Sequence, residues 1–297
     1  MTTKKPTIAI TGASGFLGGV LVEHFLAKGW RVIALARNRD AVTRKDLEYR
    51  TYDITKPIPD KSMAGVDYLV HAAYIKLDAK NPDAMTLNIA GADNLLSAAR
   101  EARVSHSIFM STMSAHEDAI SVYGKQKLQI EALFLRHKNT TVLRSGLIIG
   151  NGGIVKDMAK FMRTKHAVPL IGGGNQPLQI ISVYDLAASI ENIFTKKLTG
   201  RYVVANPKIY SYKDFYAALA KYIRTKIIYV PVPYWTLEAL FKTAATLRIS
   251  LGVGEDNLKG LKKLKSMPSG TDMKKIGIKP MNLQDSLKVS DLKGLAK

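Results

Sequence analysis

The sequence predicts an α/β fold built on a doubly wound parallel sheet, with a smaller, mostly helical region that caps one edge. Short apolar runs of strand length alternate with longer runs of helical periodicity from Thr7 to Ala205. This alternation is typical of a parallel sheet that carries helices on both faces. Beyond Ala205 the helical pattern dominates. We therefore assign residues 1–153 and 178–205 to the sheet domain and residues 154–177 and 206–297 to the cap.

Composition excludes several classes of protein and site. The chain has 297 residues, of which 46% are apolar, so it can bury a large core. It contains no cysteine, which excludes disulfides, thiolate catalysis and cysteine-ligated metals; we predict no metal site of another kind. No stretch approaches the roughly 20 apolar residues of a membrane span, and no signal-peptide segment precedes the first strand. We expect a soluble, cytoplasmic protein without a membrane partner.

The net charge is high, at +20 at pH 7. Such a charge can steer anionic small molecules or attract nucleic acid and acidic membrane surfaces. The basic residues are not confined to one tail, so we favour a solvated basic surface over a nucleic-acid interface. The expected partner is a small-molecule substrate, and the assembly state is left open, with a homodimer as one option.

A glycine-rich turn lies between the first predicted strand and the first predicted helix. Ile8–Ile10 form an apolar run, glycines follow at positions 12, 15 and 18, and apolar residues then recur at helical spacing. This order indicates a Rossmann-type dinucleotide-binding turn, because the glycines let the backbone approach a pyrophosphate at the helix N-terminus. The alternative is a glycine-rich loop without a ligand. The cofactor contacts expected in this turn are Gly12, Ser14, Gly15, Phe16 and Leu17.

The end of the second predicted strand indicates which dinucleotide is bound. The strand Arg31–Ala36 is followed by Arg37, and no acidic residue lies between Gly29 and Arg39. In this fold an acidic side chain here binds the ribose hydroxyls of NAD, whereas arginine accommodates the 2′-phosphate of NADP. The sequence therefore favours NADP, with NAD as the alternative. A solvated loop arginine without a ligand is the simpler interpretation of Arg37.

Two further segments are expected to contact the cofactor. Asp53 follows the third predicted strand, where it can accept from an adenine amino group or, near two prolines, act only in a turn. Ile54 is placed beside it. Ala72 and Ala73 end a buried-type strand and suit close approach of the backbone to the nucleotide.

Two polar residues near these segments have both a functional and a structural interpretation. His71 ends the strand that precedes Ala72, and Asn88 lies near the start of the following helix. Either can act near the cofactor, Asn88 by holding a water for proton relay. For both residues we favour the structural interpretation.

A tyrosine and a lysine carry the chemistry that the sequence predicts. Tyr123 and Lys127 are four residues apart, so on a helix they lie on one face, one turn apart. A nearby cation favours the phenolate, so the tyrosine can exchange a proton with a substrate oxygen as hydride arrives or leaves. Thr112, or alternatively Ser111 or Ser114, can hydrogen-bond the same oxygen. The simpler interpretation is a half-buried tyrosine beside a solvated lysine.

These motifs together resemble the extended branch of the short-chain dehydrogenase/reductase superfamily, the branch of nucleotide-sugar epimerases, dehydratases and ketoreductases. The resemblance extends through nearly the whole chain. It rests on TGASGFLG at 11–18, Asp53, HAA at 71–73, NIAG at 88–91, STMS at 111–114, YGKQK at 123–127, LRSGLIIGNGG at 143–153 and ISVYDLAASI at 181–190. It implies that Thr112, Tyr123 and Lys127 are catalytic and that Lys127 also binds the nicotinamide ribose.

The resemblance also implies a substrate class. A nucleotide-linked sugar is the expected substrate, with epimerase and ketoreductase outcomes both open. The expected substrate contacts are Tyr74, Met113, Ser114 and Asn151. Thr112 and Tyr123 are only 11 residues apart, Ala115–Glu117 replace the usual VYG, and Ser145 stands where the family often has proline. The alternative function is a non-enzymatic NADP-sensing or nucleic-acid-binding protein on the same fold.

Overall fold

The computed structural model describes residues 5–39, 46–78, 81–237 and 255–292. The strands are β1 (Thr7–Thr11), β2 (Arg31–Ala36), β3 (Glu48–Thr51), β4 (Tyr68–His71), β5 (His106–Thr112), β6 (Thr140–Ser145), β7 (Leu147–Ile149), β8 (Ala167–Ile171), β9 (Pro177–Leu178), β10 (Ile180–Ser182), β11 (Gly200–Val204), β12 (Tyr210–Ser211) and β13 (Ile228–Val232). The helices are α1 (Phe16–Ala27), α2 (Ala84–Glu101), α3 (Val122–Leu135), α4 (Gly153–Lys165), α5 (Val183–Thr195), α6 (Tyr212–Tyr222), α7 (Glu255–Lys262), α8 (Gly270–Ile276) and α9 (Leu283–Val289).

Seven strands form one central sheet in the order β11-β6-β5-β4-β1-β2-β3. All of its neighbouring strands run parallel. The strand order reverses direction between β1 and β4, and such a switch point opens a crevice at the carboxyl ends of the strands. The doubly wound α/β fold predicted from the sequence is confirmed.

Helices cover both faces of this sheet, because its strands are nearly continuous apolar runs that must be buried on two sides. On one face α1 and α5 pack through residues such as Phe25 and Ile190. On the other face α2 and α3 contribute Leu96 and Phe134. Each of these four side chains is at most 3% exposed.

The cap has its own apolar core, formed by α4, α6 and α9 around residues such as Met162, Phe215 and Leu287. It also contains two small sheets, a parallel pair of β8 with β13 and an antiparallel pair of β9 with β12. Part of the sequence-defined cap packs elsewhere: Met273 and Ile276 of α8 lie in the core of the central sheet. Residues 238–254 and 293–297 of the cap assignment lie outside the described residues.

Among the described residues, no helix combines the length and the apolar character that crossing a bilayer requires.

Candidate active site

The glycine-rich turn after β1 lets the backbone pass close to the end of β4. Gly12 has a φ of +70°, and a Cβ atom on it would lie 3.1 Å from the backbone nitrogen of Ala73. A Cβ atom on Gly18 would overlap the carbonyl oxygen of Gly12. Larger residues would therefore push the turn, β4 and α1 apart. The structure thus gives both glycines a steric reason within the protein, while contact of Gly12 with a cofactor stays a prediction.

The N-terminus of α1 is open toward this turn. Gly15 is the N-cap residue, no described side chain caps the helix, and no acidic residue lies in its first turn. The first N–H groups of a helix lack intrahelical partners and carry a partial positive charge. Ser14 and Gly15 are exposed here, so the turn has the geometry of a pyrophosphate cradle.

Phe16 links this turn to the loop that follows β7. Cβ atoms on Gly150 and Gly152 would both overlap the Phe16 ring, so the loop can wrap around the ring only because these positions are glycine. Leu17 instead packs against the main core. Phe16 therefore forms a wall of the crevice, whereas Leu17 anchors the start of α1.

A threonine that the sequence analysis did not single out organises the end of β4. The Thr11 hydroxyl oxygen accepts hydrogen bonds from the backbone N–H groups of Ala72 and Ala73, each at 3.0 Å. It also lies 2.9 Å from Nδ1 of His71. Burial lowers the pKa of His71 to about 3, so this ring is neutral and structural. The two alanines are thereby fixed at the crevice.

The residues predicted to contact the adenine and the 2′-phosphate, Asp53 and Arg37, lie near one another. Arg37 is exposed. The pKa of Asp53 lies below its ordinary value. Burial alone would raise this pKa, but hydrogen bonds from Thr55 and the nearby cations Lys56 and Arg37 lower it by more. Asp53 Oδ1 accepts from Thr55 N at 3.0 Å, which is the turn contact considered as the alternative role. Binding of adenine by Asp53 and of a 2′-phosphate by Arg37 stays a prediction.

Ile54 lies in close contact with α2. It is 8% exposed, and a Cβ atom on Gly91 would overlap it. The α2 residue Asn88 pairs with the backbone of Ile75, donating to its carbonyl oxygen and accepting from its N–H, each at 2.8 Å. This contact gives Asn88 the structural role that the sequence analysis favoured.

Tyr123 is the second residue of α3, and Lys127 follows one turn later. Lys127 is 6% exposed, and its Nζ donates to the carbonyl oxygen of Met110 at 2.8 Å. The same Nζ lies 5.9 Å from the centroid of the Tyr123 ring and 5.2 Å from that of Tyr74. The Tyr74 and Tyr123 rings meet edge to face at 5.3 Å. The structure therefore brings the predicted pair together, with Tyr74 beside it.

The four-residue spacing predicts that Lys127 lowers the pKa of the Tyr123 phenol, but in the structure the dominant effect is burial, which raises it. Burial raises the pKa of Tyr123, and a side-chain hydrogen bond with Thr112 only partly opposes the rise. Burial also lowers the pKa of Lys127 to about 8, against the opposing charge of Glu131. The phenol is thus protonated at neutral pH and can donate a proton.

A buried ion pair beneath this site was missed by the sequence analysis. Glu131 is fully buried, and Arg144 donates to both of its carboxylate oxygens, at 2.8 and 2.7 Å. Arg201 reaches the same carboxylate at 3.0 Å. A buried carboxylate needs such pairing. No local spacing in the sequence indicates the pairing of Glu131 with Arg144 or Arg201. The sequence shows only that Glu131 follows Lys127 by four residues, one helical turn.

The Glu131 carboxylate distinguishes Ser111 from Thr112 as the residue whose hydroxyl could hydrogen-bond the substrate oxygen. Ser111 donates its hydroxyl to Glu131 Oε1 at 2.6 Å, which commits it to the buried pair. The Thr112 hydroxyl oxygen accepts from the Ser114 N–H at 3.2 Å and faces Tyr123. This arrangement favours Thr112 as the partner of Tyr123.

A cavity of about 370 Å³ is lined by Thr112 and Tyr123 together with Phe16, the first residue of α1 after the glycine turn, whereas Lys127 does not line it. The described side chains that line it are largely apolar, including Met113, Ile148 and Leu178. Its lining comprises Phe16, Ser111, Thr112, Met113, Ser114, Tyr123, Ser145, Gly146, Leu147, Ile148, Gly153, Ile154, Pro177, Leu178, Gln179, Tyr212, Leu264 and Lys265. Asn151 is exposed and is not part of this lining.

A larger cavity of about 480 Å³ lies at the amino ends of the sheet strands, opposite the crevice. It is lined by residues at the starts of β5 and β6, such as Ser107 and Thr140, and by basic side chains such as Arg100 and Lys138. None of the predicted site residues lines it. Because ligands of open parallel sheets bind outside the carboxyl ends of the strands, the cavity at Tyr123 is the candidate active site.

Curated relatives match part of this chain. A ketoreductase of Stigmatella aurantiaca, named for a farnesyl-dihydroquinoline-oxide substrate, is 31% identical over 133 residues, which are 41% of this chain and 36% of the relative. UDP-glucose 4-epimerase of Rickettsia conorii is 30% identical over 174 residues, half of this chain and 51% of the relative. The chain thus matches between about a third and a half of the length of these relatives.

Solved structures match nearly the whole chain in fold. The structure of gox2253 has a TM-score of 0.77 and 20% identity, covering 97% of this chain and 98% of that one. UDP-glucose 4-epimerase of Thermotoga maritima, solved with UDP-glucose, has a TM-score of 0.73 and 19% identity, with coverages of 97% and 98%. At these identities the likeness concerns the fold.

A model of the NAD-dependent epimerase/dehydratase family matches residues 8–205. The match includes the glycine turn, Thr112, Tyr123 and Lys127, and it agrees with the resemblance that the sequence motifs indicated. Since it spans more than half of the chain, this protein belongs to the NAD-dependent epimerase/dehydratase family.

Proposed function

We propose that this chain transfers hydride between NADP(H), or alternatively NAD(H), and a secondary alcohol or ketone. One observation carries the proposal: Thr112 and Tyr123 line the same cavity as Phe16 of the glycine turn. A reacting carbon in this cavity is within reach of both a proton donor and the dinucleotide-binding crevice.

The residues present fit a dinucleotide. Gly12 and Gly18 let β1, β4 and α1 pack closely around the turn, because a Cβ atom on either would meet backbone atoms, and the open N-terminus of α1 offers N–H groups to a pyrophosphate. When bound, the nicotinamide supplies or accepts the hydride. Arg37 supports NADP over NAD, because its guanidinium can pair with a 2′-phosphate.

The side chains of the site then handle the proton and the charge. Tyr123 donates its phenolic proton to the substrate oxygen during reduction; in the reverse, oxidative direction its deprotonated phenolate form takes the proton from the substrate hydroxyl. Thr112 donates a hydrogen bond to the same oxygen and stabilises its developing charge. Lys127 is held by Met110 close to both tyrosine rings, where its positive charge favours the phenolate.

A nucleotide-linked sugar is the substrate class that we propose first. The support is the likeness to UDP-glucose 4-epimerases among both the relatives and the solved structures. A second candidate is reduction of an apolar ketone. It is favoured by the apolar lining at Met113, Ile148 and Leu178 and by the ketoreductase relative.

A cofactor and substrate screen tests the proposal. Thermal shift is measured with NADP, NAD and a panel of UDP-, GDP- and dTDP-sugars, and turnover is then assayed with these sugars and with aryl and alkyl ketones. We expect stabilisation by NADP above NAD and turnover that Tyr123→Phe lowers about 100- to 10,000-fold. The proposal would be contradicted if no dinucleotide stabilised the chain and no compound were turned over.

A separate assay addresses the non-enzymatic alternative. A gel-shift assay with generic RNA and DNA is run across a range of salt concentrations, because binding through basic side chains weakens steeply with salt. Tight nucleic-acid binding that Tyr123→Phe leaves unchanged, without turnover, would favour the regulatory function.

A further inference from the structure

The first turn of α3 is held by a carboxylate from far along the chain. Asp256, in α7, accepts hydrogen bonds from the backbone N–H groups of Val122 and Tyr123, at 2.5 and 3.0 Å. Ser121 is the N-cap residue, and its hydroxyl oxygen accepts from the N–H of Gly124 at 3.1 Å. Asp256 thus satisfies two of the three N–H groups that begin the helix, including that of Tyr123 itself.

Asp256 belongs to a segment that crosses the candidate active site. We call residues 255–269 the strap. His116 lies 3.0 Å from the carbonyl oxygen of Lys263 through its Nε2, and Lys265 pairs with Asp118. Met267 donates its N–H to Gln179 Oε1 at 2.8 Å. The strap therefore joins the loop before Tyr123 to the opposite wall of the cavity, which Gln179 lines.

Close packing on two sides restricts where the first turn of α3 can lie. A Cβ atom on Gly124 would overlap the carbonyl oxygen of Ser114, so the helix lies directly on the loop that follows Thr112. On the strap side, a Cβ atom on Gly260 would lie 3.7 Å from the Ser121 hydroxyl oxygen. The turn is thus clamped between that loop and α7, and the hydrogen bonds of Asp256 fix its orientation within the clamp.

We propose that Asp256 is a positioning residue that orients Tyr123 for proton transfer by holding the two N–H groups at the start of α3. The proposal rests on the proposed function of Tyr123 and goes beyond it, because Asp256 touches neither the reacting atoms nor a cofactor. A carboxylate at a helix N-terminus forms charge-assisted hydrogen bonds and matches the helix dipole. The competing explanation is a cap that stabilises the fold without affecting the phenol.

The test uses Asp256→Ala and Asp256→Asn in the full chain, with Asp285→Ala as a matched control. Asp285 lies on α9, where its side chain is 49% exposed and pairs with Lys288, and α9 packs on α6 and β10. Fluorine NMR of fluorotyrosine-labelled protein reports the phenol directly, and Tyr123→Phe assigns its signal. We expect the Tyr123 signal to shift or broaden in Asp256→Ala, less in Asp256→Asn, and to stay unchanged in Asp285→Ala.

Hydrogen exchange and kinetics complete the test. Exchange at the amides of Val122 and Tyr123 is expected to accelerate in Asp256→Ala, while the amide of Gly124 stays protected by Ser121. With a substrate in hand, kcat is expected to fall about 10- to 100-fold while KM and cofactor affinity change little. The Asn variant keeps one acceptor oxygen and is expected to recover part of kcat.

The outcomes separate this inference from the proposed function. An unchanged Tyr123 signal in a folded Asp256 variant overturns the positioning role, whatever the activity. If Asp256→Ala does not fold, Asp256→Asn decides by the same signal. A shifted signal in a chain that turns over no substrate would leave Asp256 as the residue that orients Tyr123 and would refute only the enzyme.

Discussion

The helices α1 and α3 both begin at the carboxyl ends of the central sheet strands, but the N–H groups of their first turns differ in whether side chains cap them. At the start of α1, Gly15 is the N-cap and no described side chain caps the helix. At the start of α3, Ser121 and Asp256 together accept from three successive N–H groups. One positive helix end is therefore open to an anion, whereas the other already carries its own carboxylate.

This difference assigns a separate task to each helix. The open end of α1, beside Gly12 and Gly18, can hold a pyrophosphate. The capped end of α3 cannot, and instead it holds Tyr123 in a fixed orientation against the cavity. Substitutions at one helix should then change cofactor binding, and substitutions at the other should change turnover.

Tyr123→Phe should give the largest effect and should act on turnover alone. The variant removes the proton donor but leaves the glycine turn and α1 intact. General acid–base catalysis contributes about 100- to 10,000-fold, so we expect turnover to fall by that factor. Steady-state kinetics and cofactor titration on the same samples check this, and an equal loss of cofactor affinity would refute the separation.

Two glycine substitutions compare the helices directly. Gly18→Ala would overlap Gly12 at the cofactor turn, and Gly124→Ala would overlap Ser114 beneath Tyr123. Overpacking of this kind costs about 1–3 kcal/mol, and each variant should transmit it to its own helix. We expect Gly18→Ala to weaken cofactor binding at least about tenfold and Gly124→Ala to lower kcat with cofactor binding retained. Denaturant melts establish that both variants fold, and a reversed pattern would contradict the comparison.

Arg37→Ala sharpens the cofactor half of the comparison. A hydrogen bond to a charged group contributes about 1.5–3 kcal/mol, so NADP should bind about 10- to 100-fold more weakly to the variant. NAD lacks the 2′-phosphate, and its affinity should stay the same. Calorimetric titration with both dinucleotides checks this, and an equal loss for NADP and NAD would remove the phosphate-binding role.

The smallest expected effect is a pH dependence that comes from Lys127. Burial lowers its pKa from an ordinary value of 10.5 to about 8. Between these two values the unfolded chain binds more protons than the folded chain, so the free energy of unfolding that is attributable to Lys127 rises with pH. One proton limits the slope to about 1.4 kcal/mol per pH unit.

Urea unfolding of the native chain and of Lys127→Met, from pH 7 to pH 10, isolates this contribution. We expect the native chain to gain stability relative to the variant above pH 8. Parallel curves for the two proteins would show that folding does not lower the pKa of Lys127.

The residues that were predictable from the sequence act through local spacing. The glycine turn is contiguous, and Tyr123 and Lys127 are four residues apart on one helix, so periodicity and spacing were enough to predict that the members of each set lie together. Asp256 contacts the Tyr123 backbone from 133 residues away, and Glu131 pairs with Arg144 across two elements. Such contacts depend on tertiary packing, which no local pattern encodes.

The two small sheets of the cap were missed for the same reason. Their strands are two to five residues long, and Ala167–Ile171 pairs with a strand that starts at Ile228, about sixty residues later. The pKa of Tyr123 also depends on burial that the spacing to Lys127 does not reveal.

A structure of the chain in complex with NADP decides whether α1 and α3 have separate tasks, because it locates both helix ends relative to the cofactor. We expect the pyrophosphate on the N–H groups at the start of α1 and the nicotinamide beside the Tyr123 hydroxyl. A pyrophosphate bound elsewhere, or a nicotinamide out of reach of Tyr123, would contradict it.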